Sequence, residues 1–267
     1  MARPPTTLSR FNPFAAIGRS ALDVAQLTGA VTLFALRGVA SVFSRPWYGR
    51  QFLRQLYALG FTSLPVVGLT AVFTGAALAL NIFAGGGRLN AEQAMPQIVA
   101  LGITRELGPV LAALMLAGRV SAGIAAEIGA MRASEQIDAM QTLSTDPFRY
   151  LVAPRLLAAV IALPLLTLVA DTVGIAGGWF VAVRVLDFNP TVYVQNTLEF
   201  LEPWDVVSGL IKATAFGFII AVMGSYHGYV ASGGARGVGR ATTNAVVSSA
   251  ILIFAVDYLL TSAFTQS

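Results

Sequence analysis

The sequence has no cysteine, one lysine (Lys212) and one histidine (His227) among 267 residues. Without cysteine there are no disulfides, thiolate metal sites, cysteine nucleophiles or lipidated cysteines. A single histidine excludes a histidine-rich metal centre. Charge is scarce too: 11% of residues are Asp, Glu, Lys or Arg, against about 25% in a soluble domain. So few charges cannot cover an aqueous surface. With 56% hydrophobic residues and a mean hydropathy of +0.72, the solvent of this chain is largely lipid. Two catalytic signatures are also absent. GxxxxGK[ST] does not occur, and Lys212 is followed by Ala213, so the chain has no P-loop for ATP. The nucleophile-elbow pattern GxSxG is missing as well.

What is present is a set of long apolar runs. A membrane-spanning helix needs about 20 mostly apolar residues, and five runs qualify, at 57–84, 94–118, 155–183, 206–230 and 245–264. The stretch 21–43 is apolar but carries Asp23, Gln26 and Arg37, which suits a helix lying in the interface. The expected fold is an all-α integral membrane protein, a single membrane domain over 1–267. An amphipathic interfacial helix lies within a cytoplasmic N-terminal region (1–56), followed by five transmembrane helices. Arg3 and Arg10 precede no signal-peptide core or cleavage site, so the N-terminus is expected to stay uncleaved.

Sixteen of the seventeen basic residues are arginine, and the pI is about 9.8. In a membrane protein this indicates loops facing anionic headgroups rather than nucleic acid. With the N-terminus inside, thirteen arginines fall in cytoplasmic segments, against Arg88 and Arg184 outside. The expected topology is N-terminus cytoplasmic, C-terminus periplasmic. Small residues at four-residue spacing, Ala71, Gly75 and Ala79 with Gly68 before them, allow close helix approach. Spacing alone leaves packing inside one bundle and a homodimer seam as alternatives; the face, Gly68 included, is expected to line the two-fold seam.

Charges within the spans carry most of the functional information, because each costs about 2.5–3.5 kcal/mol on insertion scales and is by default functional or paired. They are Arg105, Glu106, Asp171, Lys212 and Asp257. Arg105 and Glu106 stand about 100° apart on a helix, so each needs its own partner or a watery cavity. Glu106 is about 15 Å along from Pro96, near the midplane. Lys212 is about 9 Å below the outer boundary and Asp257 about 12 Å below it. Opposite charges at nearly one depth are expected to pair. The candidate substrate-binding set is Arg105, Glu106, Lys212, Gly75 and Leu78, with Lys212–Asp257 as a structural ion pair. Gly108 and Pro109 would bend or widen the second span around a cavity.

After the second span comes a cytoplasmic segment, 127–146, in which Ser134 reads as an N-cap for a short helix to Met140. It is either a solvated connector or the place where an ATPase pushes. Its candidate coupling residues are Glu127, Arg132, Glu135, Ile137, Asp138 and Met140, with the acids facing a basic groove and Ile137 and Met140 filling an apolar socket. The run Gly233–Gly239 reads as a flexible inter-helix loop.

The blocks ITRELGPVLAALMLAGRVSAGIAAEIGAMRASEQIDAM, DPFRYLVAPR, GRATTNAVV and AVDYLL, in that order, resemble the MlaE/YrbE family, permease subunits of ABC transporters that work with MCE-domain lipid-binding proteins. The resemblance runs from about residue 50 to the C-terminus. It does not extend to Asp171, and Asn244 stands where the pattern has a basic residue. It implies a homodimer in the inner membrane and a cytoplasmic ABC ATPase dimer that binds the ATP and Mg, so that this chain needs no cofactor. A periplasmic MCE ring is implied as well, with room for a small cytoplasmic accessory subunit. The implied cargo is membrane phospholipid moved between the inner membrane and the outer-membrane side. Two rivals stay open: a stand-alone secondary transporter of an amphiphile, and an intramembrane hydrolase using Ser121 and His227.

Overall fold

The computed structural model describes residues 13–86 and 91–265. Arg3, Arg10 and Arg88, which entered the arginine count, lie outside them. Among the described residues there is no strand. The helices in chain order are α1 (Pro13–Val42), α2 (Gly49–Leu59), α3 (Leu64–Gly86), α4 (Ala91–Leu101), α5 (Gly108–Leu116), α6 (Ala122–Ala133), α7 (Gln136–Thr142), α8 (Ala153–Arg184), α9 (Pro190–Phe200), α10 (Pro203–Tyr229) and α11 (Gly234–Thr265). Three π-helical segments, Gly102–Leu107, Ala117–Ser121 and Phe148–Val152, join α4 to α5, α5 to α6 and lead into α8. Among the described residues, six helical stretches are long and apolar enough to cross a membrane. The sixth is Ala25–Val42 of α1, whose middle docks where α8 begins and α10 ends. The Phe34 ring centroid lies 4.9 Å from that of Phe148 and 5.5 Å from that of Tyr226, and the Arg37 guanidinium stands 4.4 Å over Phe148.

The longest packed seam runs α2 and α3 alongside α8 in parallel, from Gly60 near Ala162 to Gly75 against Gly174. A Cβ on Gly75 would run into the Gly174 backbone, so only glycine permits this approach. Ala79 is fully buried and Ala71 nearly so. The small-residue face is therefore used inside the chain, which corrects the dimer-seam alternative: α8 occupies it. Gly68, grouped with that face, meets nothing. α10 crosses α8 antiparallel, with Gly217 against Ala159, and α11 packs on α10 and α6.

Two local expectations fail for physical reasons. Ser134 does not cap the following helix. Its hydroxyl donates to the Ala130 carbonyl at 2.8 Å, closing α6, and Glu135 turns the chain in the left-handed region at φ 58°. The glycine-rich run is not a loop either. After Gly233 and Gly234, both at positive φ, α11 begins, and Arg236 and Arg240 sit in its first turns. Val238 packs against Gly129 while Ala241 and Ala245 are buried, so packing overrides the low helix propensity of glycine.

Candidate functional site

The polar centre is built on the π segment Gly102–Leu107, and the residues just after it explain its form. Pro109 has no N–H, so the Arg105 carbonyl four residues earlier lacks its usual helical donor. Lys212 on α10 supplies one instead, Nζ to Arg105 O at 3.0 Å. Gly108 is required by its neighbour: a Cβ there would overlap the Asp171 carboxylate and come within 2.8 Å of the Ile103 carbonyl oxygen. The two helix disruptors thus admit two polar groups from other helices.

Lys212 Nζ also donates to Glu106 Oε1 at 2.9 Å and Thr261 Oγ1 at 2.7 Å. It stands 3.0 Å from Asp257 Oδ1, an ion pair outside hydrogen-bond angles. Arg105 Nε donates to Asp205 Oδ1 at 2.6 Å. Arg105 and Glu106 each have a separate partner, and both partners stand on α10, about two turns apart. Asp205 is fixed at the start of that helix, where its Oδ2 accepts from the Glu202 backbone N–H at 2.9 Å. The tethers are buried, with Lys212 2% and Asp205 3% exposed at the side chain. The groups they hold are open: Arg105 48% and Glu106 41%. A guanidinium and a carboxylate, each oriented by a buried counter-charge, can receive a phosphate and an amine.

The structure thus brings together Arg105, Glu106, Lys212 and Asp257 but not the whole candidate set. Gly75 is buried against Gly174, and Leu78 is half-buried beside Gly102 at the start of the π segment. Asp205 and Thr261 belong to the network and were missed. Asp205 looked like one of several acids in an external segment, although its place three residues into a Pro-led helix is a signal for an inward-held cap. Thr261 lies one turn beyond Asp257, a spacing that could have indicated it. Among the described residues Asp171 joins no ion pair. Its two oxygens, and the Thr167 hydroxyl one turn earlier, are buried with no hydrogen-bond partner among the described residues.

At the other end of the bundle, Arg155 is fully buried and pairs with Glu127 at 2.8 Å, tying α6 to the base of α8. Arg132 pairs with Asp138 at 2.6 Å. Ile137 is completely buried in its own chain and Met140 packs partly against the same core, so the expectation that they fill a partner's socket is corrected: a seven-residue helix needs its apolar face as an anchor. Glu135 remains exposed. Ser121 pairs with Ser249 at 3.1 Å and His227 with Ser248 at 3.0 Å, so the hydrolase pair does not form. Among the described residues no group of three or more His, Asp or Glu could hold a metal ion.

Comparison with known proteins agrees with this architecture. The family model described as Permease MlaE matches residues 52–263. A probable ABC transporter permease protein of Rickettsia prowazekii is 51% identical over 248 residues, covering 93% of this chain and 96% of that protein. The chloroplastic protein trigalactosyldiacylglycerol 1 of Arabidopsis thaliana is 38% identical over 258 residues, covering 97% of this chain and 71% of that one. The intermembrane phospholipid transport system permease protein MlaE of Haemophilus influenzae is 32% identical over 257 residues, covering 94% and 97%. With six apolar helices of spanning length and a family match over most of its length, this multi-pass membrane protein belongs to the MlaE permease family.

Proposed function

We propose that the chain is the inner-membrane permease subunit of an ABC transporter that moves phospholipid between the inner membrane and the outer-membrane side. The observation that carries this is the arrangement of Arg105 and Glu106, half-open side chains held by buried Asp205 and Lys212. Here Arg105 keeps free donors for a phosphate and Glu106 a free oxygen for an amine. Energy comes from a separate cytoplasmic ATPase pair, consistent with the missing P-loop, and the α6–α7 corner with exposed Glu135 is its docking place. The arginine distribution supports an N-terminus in the cytoplasm, with a periplasmic MCE ring on the opposite face and a small accessory subunit on the cytoplasmic side. The chain works as a homodimer whose seam lies on surfaces other than the Ala71–Gly75–Ala79 face. The test is reconstitution with the ATPase and labelled phospholipid in a defined leaflet. Arg105→Ala and Glu106→Ala, each assembled normally, should each reduce ATP-driven transfer at least tenfold. Transfer unchanged in both would refute the headgroup role.

A further inference from the structure

Away from that network, a groove runs between α2 and α8, lined by Leu53, Tyr57, Phe61, Leu165 and Val169 among others. Its walls are open: Leu53 is 63% exposed, and the Tyr57 and Phe61 rings lie stacked with centroids 5.2 Å apart at 14°. The floor is small, since a Cβ on Gly60 would be 3.8 Å from that of Ala162. The groove is open along its length and offers about 420 Å³.

Two arginines stand at one end of the groove, and at the other Arg119 Nη1 donates to the Ser63 hydroxyl at 2.7 Å. At 100° per residue Arg50 lies about 60° from Leu53 and 20° from Tyr57, on the groove's own stripe, and Arg54 lies about 60° from Tyr57. Both arginines are exposed and neither has an acidic partner among the described residues. Exposed Trp47 just before α2 marks a membrane–water boundary. From Arg50 to Leu59, where α2 ends, the helix rises about 14 Å.

We propose that this groove docks a single diacyl phospholipid of the leaflet beside the arginine-rich face. Its phosphate sits on Arg50 and Arg54, and one acyl chain lies against Tyr57, Phe61 and Leu165. The site shares no residue with the Arg105–Lys212 network. It rests on the membrane placement argued above but not on transport itself. Positive charge without a counter-ion favours lipids of net negative headgroup, and the groove's length selects a chain that lies parallel to α2.

The probe is phosphatidylglycerol with a diazirine at mid-chain, incorporated into vesicles holding the complete transporter and mapped by peptide mass spectrometry. Adducts should concentrate on Tyr57, Phe61, Leu165 and Val169. The double variant Arg50→Gln plus Arg54→Gln should lower them about twenty-five-fold, at about fivefold per arginine. Leu165→Trp, which fills the groove, should remove them while Arg50 and Arg54 remain. Adducts spread evenly over all lipid-facing helices, or unchanged in the arginine variant, would overturn the site. So would a Leu165→Cys variant that crosslinks to its copy in a second chain, since another protomer would then be the occupant. Transfer activity is read in parallel: lost transfer with intact adducts would count against the transport reading and not against this one.

Discussion

Replacing Lys212 by methionine tests the polar centre most directly. The ammonium serves four groups within 3.0 Å: Glu106, Asp257, Thr261 and the Arg105 carbonyl. Removing one member of a buried pair leaves an uncompensated charge, typically a loss of 3–5 kcal/mol. The losses here are unequal. Glu106 is 41% exposed and can turn to water or headgroups, so its share is small, whereas Asp257 is 18% exposed and largely stranded. Thr261 keeps its bond to the Asp257 carbonyl at 2.8 Å. The Arg105 carbonyl has no helical donor because of Pro109, and an orphaned buried acceptor adds about 1–3 kcal/mol. The expected total is about 4 kcal/mol. It should appear as a lowered thermal midpoint of the assembled complex in nanodiscs and a smaller folded yield. Lys212→Met combined with Asp257→Leu removes the stranded charge and should be less damaged than Lys212→Met alone. If the double variant loses as much as the two singles together, the residues act independently and the pairing argument is wrong.

Gly108→Ala should destabilise by about 1–3 kcal/mol through overpacking against the Asp171 carboxylate and the Ile103 carbonyl; adding Asp171→Ala should recover part of this in the same melting assay, and no recovery would show that the strain lies elsewhere. Gly75→Leu should part α3 from α8 and reduce folded yield of the protomer itself, so a well-folded chain that has merely lost its dimer would restore the intermolecular role of that face. Reversing charge at Glu135 plus Asp138 should uncouple ATP hydrolysis from lipid transfer while the spans stay folded, as Ile137 holds the anchor; normal coupling would remove α7 from the ATPase contact.

The helical spans were legible because lipid imposes a simple rule: an apolar run of sufficient length must be a helix, with its backbone bonds satisfied internally. The pairing of Lys212 with Asp257 was legible for the related reason that a charge in lipid favours a partner, and depth along antiparallel helices limits the choice. Other features depend on what a neighbour does. Whether Ala71–Gly75–Ala79 meets α8 or a second chain is decided by Gly174 about a hundred residues later, and no local pattern contains that. Ser134 has the chemistry of either helix end, and only the backbone of Ala130 decides. The glycines before Arg240 read as a loop until Val238 finds Gly129. The π segments were not foreseen, although Gly108–Pro109 marked the place where the α-helical bonds fail. Asp205 was hidden by its location, since an acid at a helix start usually faces water.

The network around Lys212 also has a stoichiometry. With all groups ionised, two cations, Arg105 and Lys212, face three carboxylates, Glu106, Asp205 and Asp257. The assembly is one positive charge short, and the deficit falls on its most open acid, Glu106. A zwitterionic lipid whose ammonium meets Glu106 while its phosphate meets Arg105 leaves that balance unchanged and screens the exposed acid. A headgroup bearing only negative charge deepens the deficit inside a low-dielectric layer. Phosphatidylethanolamine should therefore be carried in preference to phosphatidylglycerol, and Glu106→Gln should shrink the preference between them. The permease would then sort lipids by charge twice, with unpaired arginines at the edge of one leaflet and an incomplete set of counter-ions at its centre.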